Sequence, residues 1–456
     1  MVLSRGPDWV APRRTEEWRD DDILIATAWL KSLVPAQVWA TRIERTREQF
    51  LRAVEALHRG EPAALYDPAD LIAWQIFQAE TYAIDRSYWV PGVTAQIGPI
   101  MTRLGQELAT LLTVKGVEAR AERLMTAERR QSDAGLFELL VALAYRRNGW
   151  TDVLFVEEQR GGPRSHDITV SRPRRRWAVE CKRMSAAPYA QAEKARGEAL
   201  SQAVHALCRD RGRSVIVEAA FKSELSAVPD DYLTGRAATF LANPEASFWH
   251  DEHGFGRVRE VDWRLAHRVL EADYVYYGAS RMIELLVGHY DHDLEHSMAS
   301  RWRPAPGRPL YADAVYQASV VSWASRSPKA VRIKARHFRQ IVAGANGQMP
   351  STMPGVIHVG VESTGDPAVD ARRHLGNMLE MRGFAPGTSR LRWVYGNFFA
   401  PESTTQHDES WAFDETTAWY RIGNHTAAQP LPHHLLVSPE AAIRPGSHWT
   451  SAGISL

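Results

Sequence analysis

Cysteine is nearly absent from this chain: Cys181 and Cys208 are the only two among 456 residues. Two thiols make neither a disulfide framework nor a thiolate zinc motif, and they suit a reducing compartment. Lysine is scarce too, with seven lysines among 55 basic residues and arginine supplying the rest. No glycine-rich loop closes on Gly-Lys-Ser or Gly-Lys-Thr, so a nucleotide-driven motor would have to be a separate partner. No window approaches a membrane span, and Met1 to Arg14 lacks the apolar core of a signal peptide, so the expected location is the cytoplasm. Charge nearly cancels, at +1. A nonspecific polyelectrolyte binder would be more basic, so any contact with nucleic acid must come from a local patch. The length suffices for two or three domains, each with its own core.

What the chain does hold is concentrated between Leu136 and Lys182. The segment Trp177-Ala178-Val179-Glu180-Cys181-Lys182 alternates as a strand, with Glu180 and Lys182 on one face and Trp177, Val179 and Cys181 on the other. The second face is apolar and suits packing under helices. Asp167 opens the preceding strand, Asp167-Ile168-Thr169-Val170, and the turn Ser171-Arg172-Pro173-Arg174 returns the chain as its antiparallel neighbour, bringing Asp167 near Glu180. Two carboxylates at that separation repel unless a cation lies between them. Hard oxygen ligands with room for water and phosphate suit Mg²⁺. A lysine beside them can hold or activate water and offset charge on a phosphorane-like transition state. An ammonium can release a proton where a guanidinium cannot, which gives Lys182 meaning in so arginine-rich a chain.

Glu138 is the only charge in Leu136-Phe137-Glu138-Leu139-Leu140-Val141-Ala142-Leu143-Ala144-Tyr145, a helix expected to be capped by Ser132 or Asp133 and closed by Asn148-Gly149. A helix apolar nearly all round is buried, so this carboxylate needs a hydrogen-bond partner, a cation or an edge open to water.

In this order of residues the chain resembles the PD-(D/E)xK, or restriction-endonuclease-like, nucleases. The resemblance covers roughly residues 132–221, about a fifth of the chain. It implies an α/β fold with a mixed sheet flanked by helices, in which Glu138 is the helix acid, Asp167 the strand acid and Glu180-Cys181-Lys182 the Glu-x-Lys element. The following helix would span about Tyr189 to Cys208, and Ser214 to Ala220 would form the fourth strand of that core. The activity implied is Mg²⁺-dependent hydrolysis of nucleic acid, DNA before RNA, with Mn²⁺ as a substitute, in prokaryotic defence or repair. Asp167 and Glu180 would hold the metal, and Glu138 would help through a metal-bound water. His166 stands where the family name expects proline, and Gln202 and His205 lie on the next helix, where some members use a glutamine. Two alternatives remain: a degenerate nuclease fold serving as a nucleic-acid-binding or assembly subunit, and an unrelated α/β protein in which Asp167 and Lys182 form an ordinary ion pair.

The flanks divide by pattern. Residues 1–130 suggest an all-helical N-terminal domain, with helices at Ile23 to Leu33, Gln37 to Leu57, Asp70 to Ile84 and Ile97 to Val114, available for a homo-oligomer or a partner protein. Its tryptophans Trp29, Trp39, Trp74 and Trp89 have the spacing of core residues rather than of a base-stacking platform. The nuclease-like core is assigned to 131–225, an insertion to 226–310 and a C-terminal α/β region, a candidate extension of the core sheet, to 311–456. Within these, a helix is expected from Asp262 to Ala272, another from Ala312, a strand from Ala330 to Ala335, and a surface wrapping from Asn424. His292 and His296 stand four apart as zinc ligands can, but without the other ligands an exposed polar turn is the preferred account. Arg172, Arg174, Arg175, Arg176 and Arg183 are a candidate nucleic-acid patch or a solvated rim.

Overall fold

The computed structural model describes residues 20–58, 63–84, 86–157, 165–184, 188–334, 338–363, 367–403, 411–438, 446–451 and 453. Seven helices come first: α1 (Asp21–Ser32), α2 (Ala36–His58), α3 (Leu71–Ile84), α4 (Pro91–Gln106), α5 (Leu108–Leu111), α6 (Val117–Met125) and α7 (Ser132–Arg147). Asp20 caps α1 by accepting the Ile23 N–H at 3.1 Å, and Asp21 and Asp22 follow at the positive end of the helix dipole. The helix expected from Ile97 to Val114 is instead interrupted at Glu107, whose backbone leaves helical geometry between α4 and α5.

The chain continues through β1 (Asp152–Phe155), β2 (Ile168–Arg172), β3 (Arg175–Met184), α8 (Pro188–Asp210), β4 (Val215–Phe221), α9 (Tyr232–Ala242), β5 (Phe248–His250) and β6 (Gly254–Glu260). Then come α10 (Trp263–Leu270), β7 (Val275–Tyr276), α11 (Ser280–Val287), β8 (Glu295–Ala305), β9 (Arg308–Ser325), α12 (Pro328–Lys334) and α13 (Phe338–Asn346). The last elements are β10 (Gly355–Glu362), α14 (Pro367–Arg382), β11 (Leu391–Ser403), β12 (Trp411–Arg421) and α15 (His448–Ser451). An all-helical N-terminal region is thus followed by a mixed α/β region whose sheets are flanked by helices.

Two sheets form. The first has the order β1-β2-β3-β10-β11-β12, and the second β5-β6-β4-β9-β7 with β8 on β9. In the first sheet β3 pairs parallel with β10, placing Glu180 beside Ile357 and Lys182 beside Val359. The segment expected as the fourth strand of the core, Ser214 to Ala220, belongs to the second sheet, where β4 pairs antiparallel with β6 and parallel with β9. The reason lies in α8. Its Leu200, Val204 and Cys208 share an apolar cluster with Val215, Val217, Phe221 and Trp323, so the helix carries the chain away from β3. Gly197 lets α8 approach, since a Cβ there would lie 2.1 Å from the Trp323 ring. The sheet fed by α8 spans Val215 to Ser325, and the chain then returns to lay β10 against β3.

Two other local expectations are corrected. The helix expected from Ala312 is instead part of the 18-residue strand β9, and the strand expected from Ala330 to Ala335 is replaced by α12 as far as Lys334, Ala335 lying outside the described residues. Because apolar clusters pack on both of its faces, with Val321 and Trp323 in one and Ala318 and Val320 in the other, β9 is buried on most positions and loses the alternation that marks a half-exposed strand. Pro328 opens α12, and Ser327 Oγ accepts the Ala330 N–H at 3.4 Å.

One apolar cluster joins α1, α3, α4, α6 and α7 to β1, β2, β3 and β11, so the helical region and the first sheet share a core. Trp74 and Trp89 are buried in an adjoining cluster, with Trp89 Nε1 donating to the Tyr311 hydroxyl at 2.6 Å. A second cluster packs α13 and α14 on the opposite face of the sheet. The segment from Asn424 does more than wrap the surface: Leu431, Leu436 and Val437 enter the first core, anchored by Glu415, which accepts the backbone N–H groups of Leu436, Val437 and Ser438. Among the described residues no helix is long and apolar enough to cross a membrane.

Candidate functional site

The antiparallel register of β2 and β3 pairs Ile168 with Val179, so Asp167, one residue earlier, lies opposite Glu180. The Cys181 N–H donates to Asp167 Oδ2 at 2.7 Å and fixes that carboxylate against β3. Val179 and Cys181 join the core under α7 while Ala178 joins the opposite cluster, the alternation that puts Glu180 and Lys182 on one face. The Lys182 ammonium lies 2.5 Å from Glu180 Oε1, with its side chain about one-third exposed (32 %). Glu180 itself is fully buried, with Lys182 as the cation held against it.

The third acid arrives from α7. Arg120 on α6 donates through Nε to Glu138 Oε2 at 2.5 Å, supplying the partner that a carboxylate on an apolar helix requires. Gly135 makes space for this guanidinium, since a Cβ there would stand 3.1 Å from Arg120 Nη2 and 2.9 Å from Leu124 Cδ1. Nothing in the sequence around Arg120 distinguishes it from the other arginines of an amphipathic helix. Ser132 and Asp133 do not cap α7 as expected. Ser132 Oγ donates to Gln75 Oε1 at 2.7 Å, and Asp133 accepts from Gln75 Nε2 at 2.6 Å, docking the start of α7 on α3.

The electrostatics follow from this crowding. Burial, then the charges of Glu180 and Glu138, push the Asp167 carboxyl from 3.8 to about 8 despite the Cys181 N–H and Lys182. Burial also raises Glu180, with Lys182 opposing. For Lys182, burial pulls the pKa down, but the adjacent Glu180 charge outweighs it and the net shift is upward. Burial pulls Arg120 down as well, and Glu138 with Glu128 reverses it. The Cys181 thiol, fully buried beside three acids, is pushed well up, which removes it as a nucleophile.

These residues suit a hard divalent cation in a particular way. The buried Glu180 carboxylate, and Asp167 held opposite it, form a two-carboxylate donor set, and Mg²⁺ is commonly bound by one or two carboxylates together with waters and substrate phosphate. Glu138 is committed to Arg120, and among the described residues no group of three or more His, Cys, Asp or Glu is placed to hold a metal ion.

The remaining candidates lie elsewhere or are otherwise engaged. His166 bonds Thr169 Oγ1 through Nε2 at 2.8 Å, and burial followed by the Arg176 charge lowers its pKa. Gln202 donates to Glu198 on the surface of α8. His205 is buried against the second sheet between Ser319 and Ser297. His296 has Nδ1 on Ser322 Oγ and Nε2 on the Asp291 carbonyl, both at 2.8 Å, leaving no free nitrogen for zinc. The arginines do not form one patch. Arg172 lies over the Trp150 ring, Arg183 over Phe137 and Phe399, and Arg174, Arg175 and Arg176 line a separate cavity at the far end of β3.

Comparison with protein-family models, curated proteins and solved structures finds no match for this chain.

Proposed function

We propose that the protein is a metal-dependent nuclease of the restriction-endonuclease-like class, hydrolysing phosphodiester bonds in nucleic acid, with DNA preferred over RNA. The observation that carries this reading is the convergence of Asp167, Glu180 and Lys182 on adjacent strands, with the Glu180 carboxylate wholly buried opposite a second acid and a single lysine against the two.

In this proposal Asp167 and Glu180 hold Mg²⁺, or Mn²⁺ in its place. The bound cation would supply Lewis-acid polarisation of a phosphoryl oxygen and stabilise negative charge as it develops. Lys182, kept protonated by Glu180, acts as a fixed positive charge that orients the attacking water and the departing phosphate oxygens rather than as the proton acceptor. Arg120 holds Glu138 on the α7 side, where its carboxylate adds negative potential to the site and favours the cation. A cytoplasmic setting in prokaryotic defence or repair accords with this chemistry, and the helical N-terminal region is the proposed surface for self-association or a partner.

The test is incubation of linear, circular and single-stranded DNA and of RNA with the purified protein in Mg²⁺, Mn²⁺ or EDTA, beside Lys182→Ala. Cleavage that requires the metal and is lost in the variant supports the reading and identifies the substrate. Cleavage that persists in EDTA or in Lys182→Ala overturns it.

A further inference from the structure

At the end of β3 remote from Lys182, the hairpin Arg172-Pro173-Arg174-Arg175 and the residues before β11 flank an open cleft of about 460 Å³. Four arginines line it, Arg174, Arg175, Arg176 and Arg390, together with Trp177 and Thr426, and none of its lining residues is acidic. Among the described residues, Arg390 donates to the Thr352 carbonyl at 3.2 Å, and no carboxylate is paired with any of the four. In a chain of net charge +1, four exposed arginines without a carboxylate partner concentrate positive potential on one cleft, which favours an anion there to an extent that salt screens.

The backbone provides a second, independent observation. Arg174 sits at φ 61°, in the left-handed region, one of two non-glycine residues that do so among those described. With Pro173 before it, this is the third position of a tight turn, where glycine or asparagine would cost less. An arginine held there against its conformational preference lies on the lining of the cleft.

We propose that this cavity is a binding site for a free polyphosphate ligand, a nucleoside triphosphate or a compound of similar size and charge. The volume falls within the range of small-ligand pockets, about 300–1,000 Å³. Planar guanidinium forks match phosphate oxygens two at a time, and four of them suit a chain of phosphates better than a single one. Trp177 and the alanines beside Thr426 give the cavity an apolar wall. The site is distinct from the carboxylates: Arg176 precedes Glu180 by four residues of extended strand, about 13 Å.

The experiment is calorimetric titration of the full chain with tripolyphosphate, ATP and a single-stranded oligonucleotide lacking a terminal phosphate, at low and moderate salt. The proteins compared are wild type, Arg175→Ala/Arg390→Ala, Arg174→Gly and Lys182→Ala. The proposal expects saturable one-to-one binding of tripolyphosphate and ATP, weakened at least tenfold in the double variant and unchanged in Lys182→Ala. Arg174→Gly should bind several-fold more weakly while melting at the same or a higher temperature, because glycine relieves the turn. That pairing separates loss of a ligand contact from loss of the fold. Absence of saturable binding, binding indifferent to the arginines, or loss in Lys182→Ala overturns the proposal. Arginine-dependent binding of the oligonucleotide alone also overturns it and makes the cavity a backbone contact for nucleic acid.

Discussion

Replacing Asp167 with asparagine should stabilise the protein while abolishing its proposed chemistry. The asparagine carbonyl can still accept the Cys181 N–H, so the strand contact survives and only the charge is removed. In the folded state the carboxyl titrates near 8, against 3.8 when unperturbed. The folded protein therefore keeps a proton on Asp167 between those values while the unfolded chain has lost it, and stability falls as pH rises through that window. Full expression of the shift would correspond to several kcal/mol at about 1.4 kcal/mol per unit. Glu180 and Glu138 share the repulsion and relax with it, so the gain expected for Asp167→Asn at pH 8 without metal is about 1–3 kcal/mol. At pH 4.5 the two proteins should melt nearly together, and at pH 8 in EDTA the variant should melt a few degrees higher. Adding Mg²⁺ should raise the wild-type transition and leave that of the variant in place. Thermal melting across pH, with and without Mg²⁺, makes the comparison. A variant that melts lower at pH 8, or a difference that does not depend on pH, would refute the account of a strained carboxylate pair.

Three further outcomes are expected. Arg120→Ala leaves Glu138 without its cation in a largely buried place and should cost about 3–5 kcal/mol, read as a fall in the denaturation midpoint; Arg120→Met combined with Glu138→Gln should recover most of it, and failure to recover would show that the pair is not the cause. Gly197→Ala should force α8 away from Trp323 and cost about 1–3 kcal/mol, seen as faster proteolysis between the two sheets, whereas a neutral result would show that the contact yields. Mg²⁺ affinity should increase as pH rises toward about 8, approaching tenfold per unit, since the cation must displace the proton on Asp167; a flat calorimetric profile between pH 6 and 8 would exclude Asp167 as a ligand.

Local chemistry was legible in the sequence and long-range pairing was not. Alternation alone set Glu180 and Lys182 on one face of β3, and the Pro173-Arg174 turn returned the strand so that Asp167 lies opposite Glu180. The unbroken apolar run of α7 announced that Glu138 needed a partner, but its partner, Arg120, is brought in by the packing of α6 on α7 across eighteen residues of chain. The strand beside β3 was misassigned because Val215 to Phe221 and Gly355 to Glu362 are both short apolar strands, and only the apolar face of α8 decides between them. The same limit applies to β9, whose burial on consecutive positions through its second half erases the period that separates strand from helix. Arg390, over two hundred residues from Arg174 in sequence, joins the same cavity through the parallel crossover that no local pattern encodes.

The most direct test of the central claim is the single-turnover cleavage rate of a labelled DNA duplex across a Mg²⁺ titration, for wild type and for Glu180→Gln, each first shown to melt as a folded protein. The account predicts a saturable Mg²⁺ dependence for the wild type and a rate at least a hundredfold lower, or undetectable, for Glu180→Gln, in keeping with loss of a metal-holding carboxylate. Equal rates for the two proteins, or a wild-type rate independent of Mg²⁺, would contradict it.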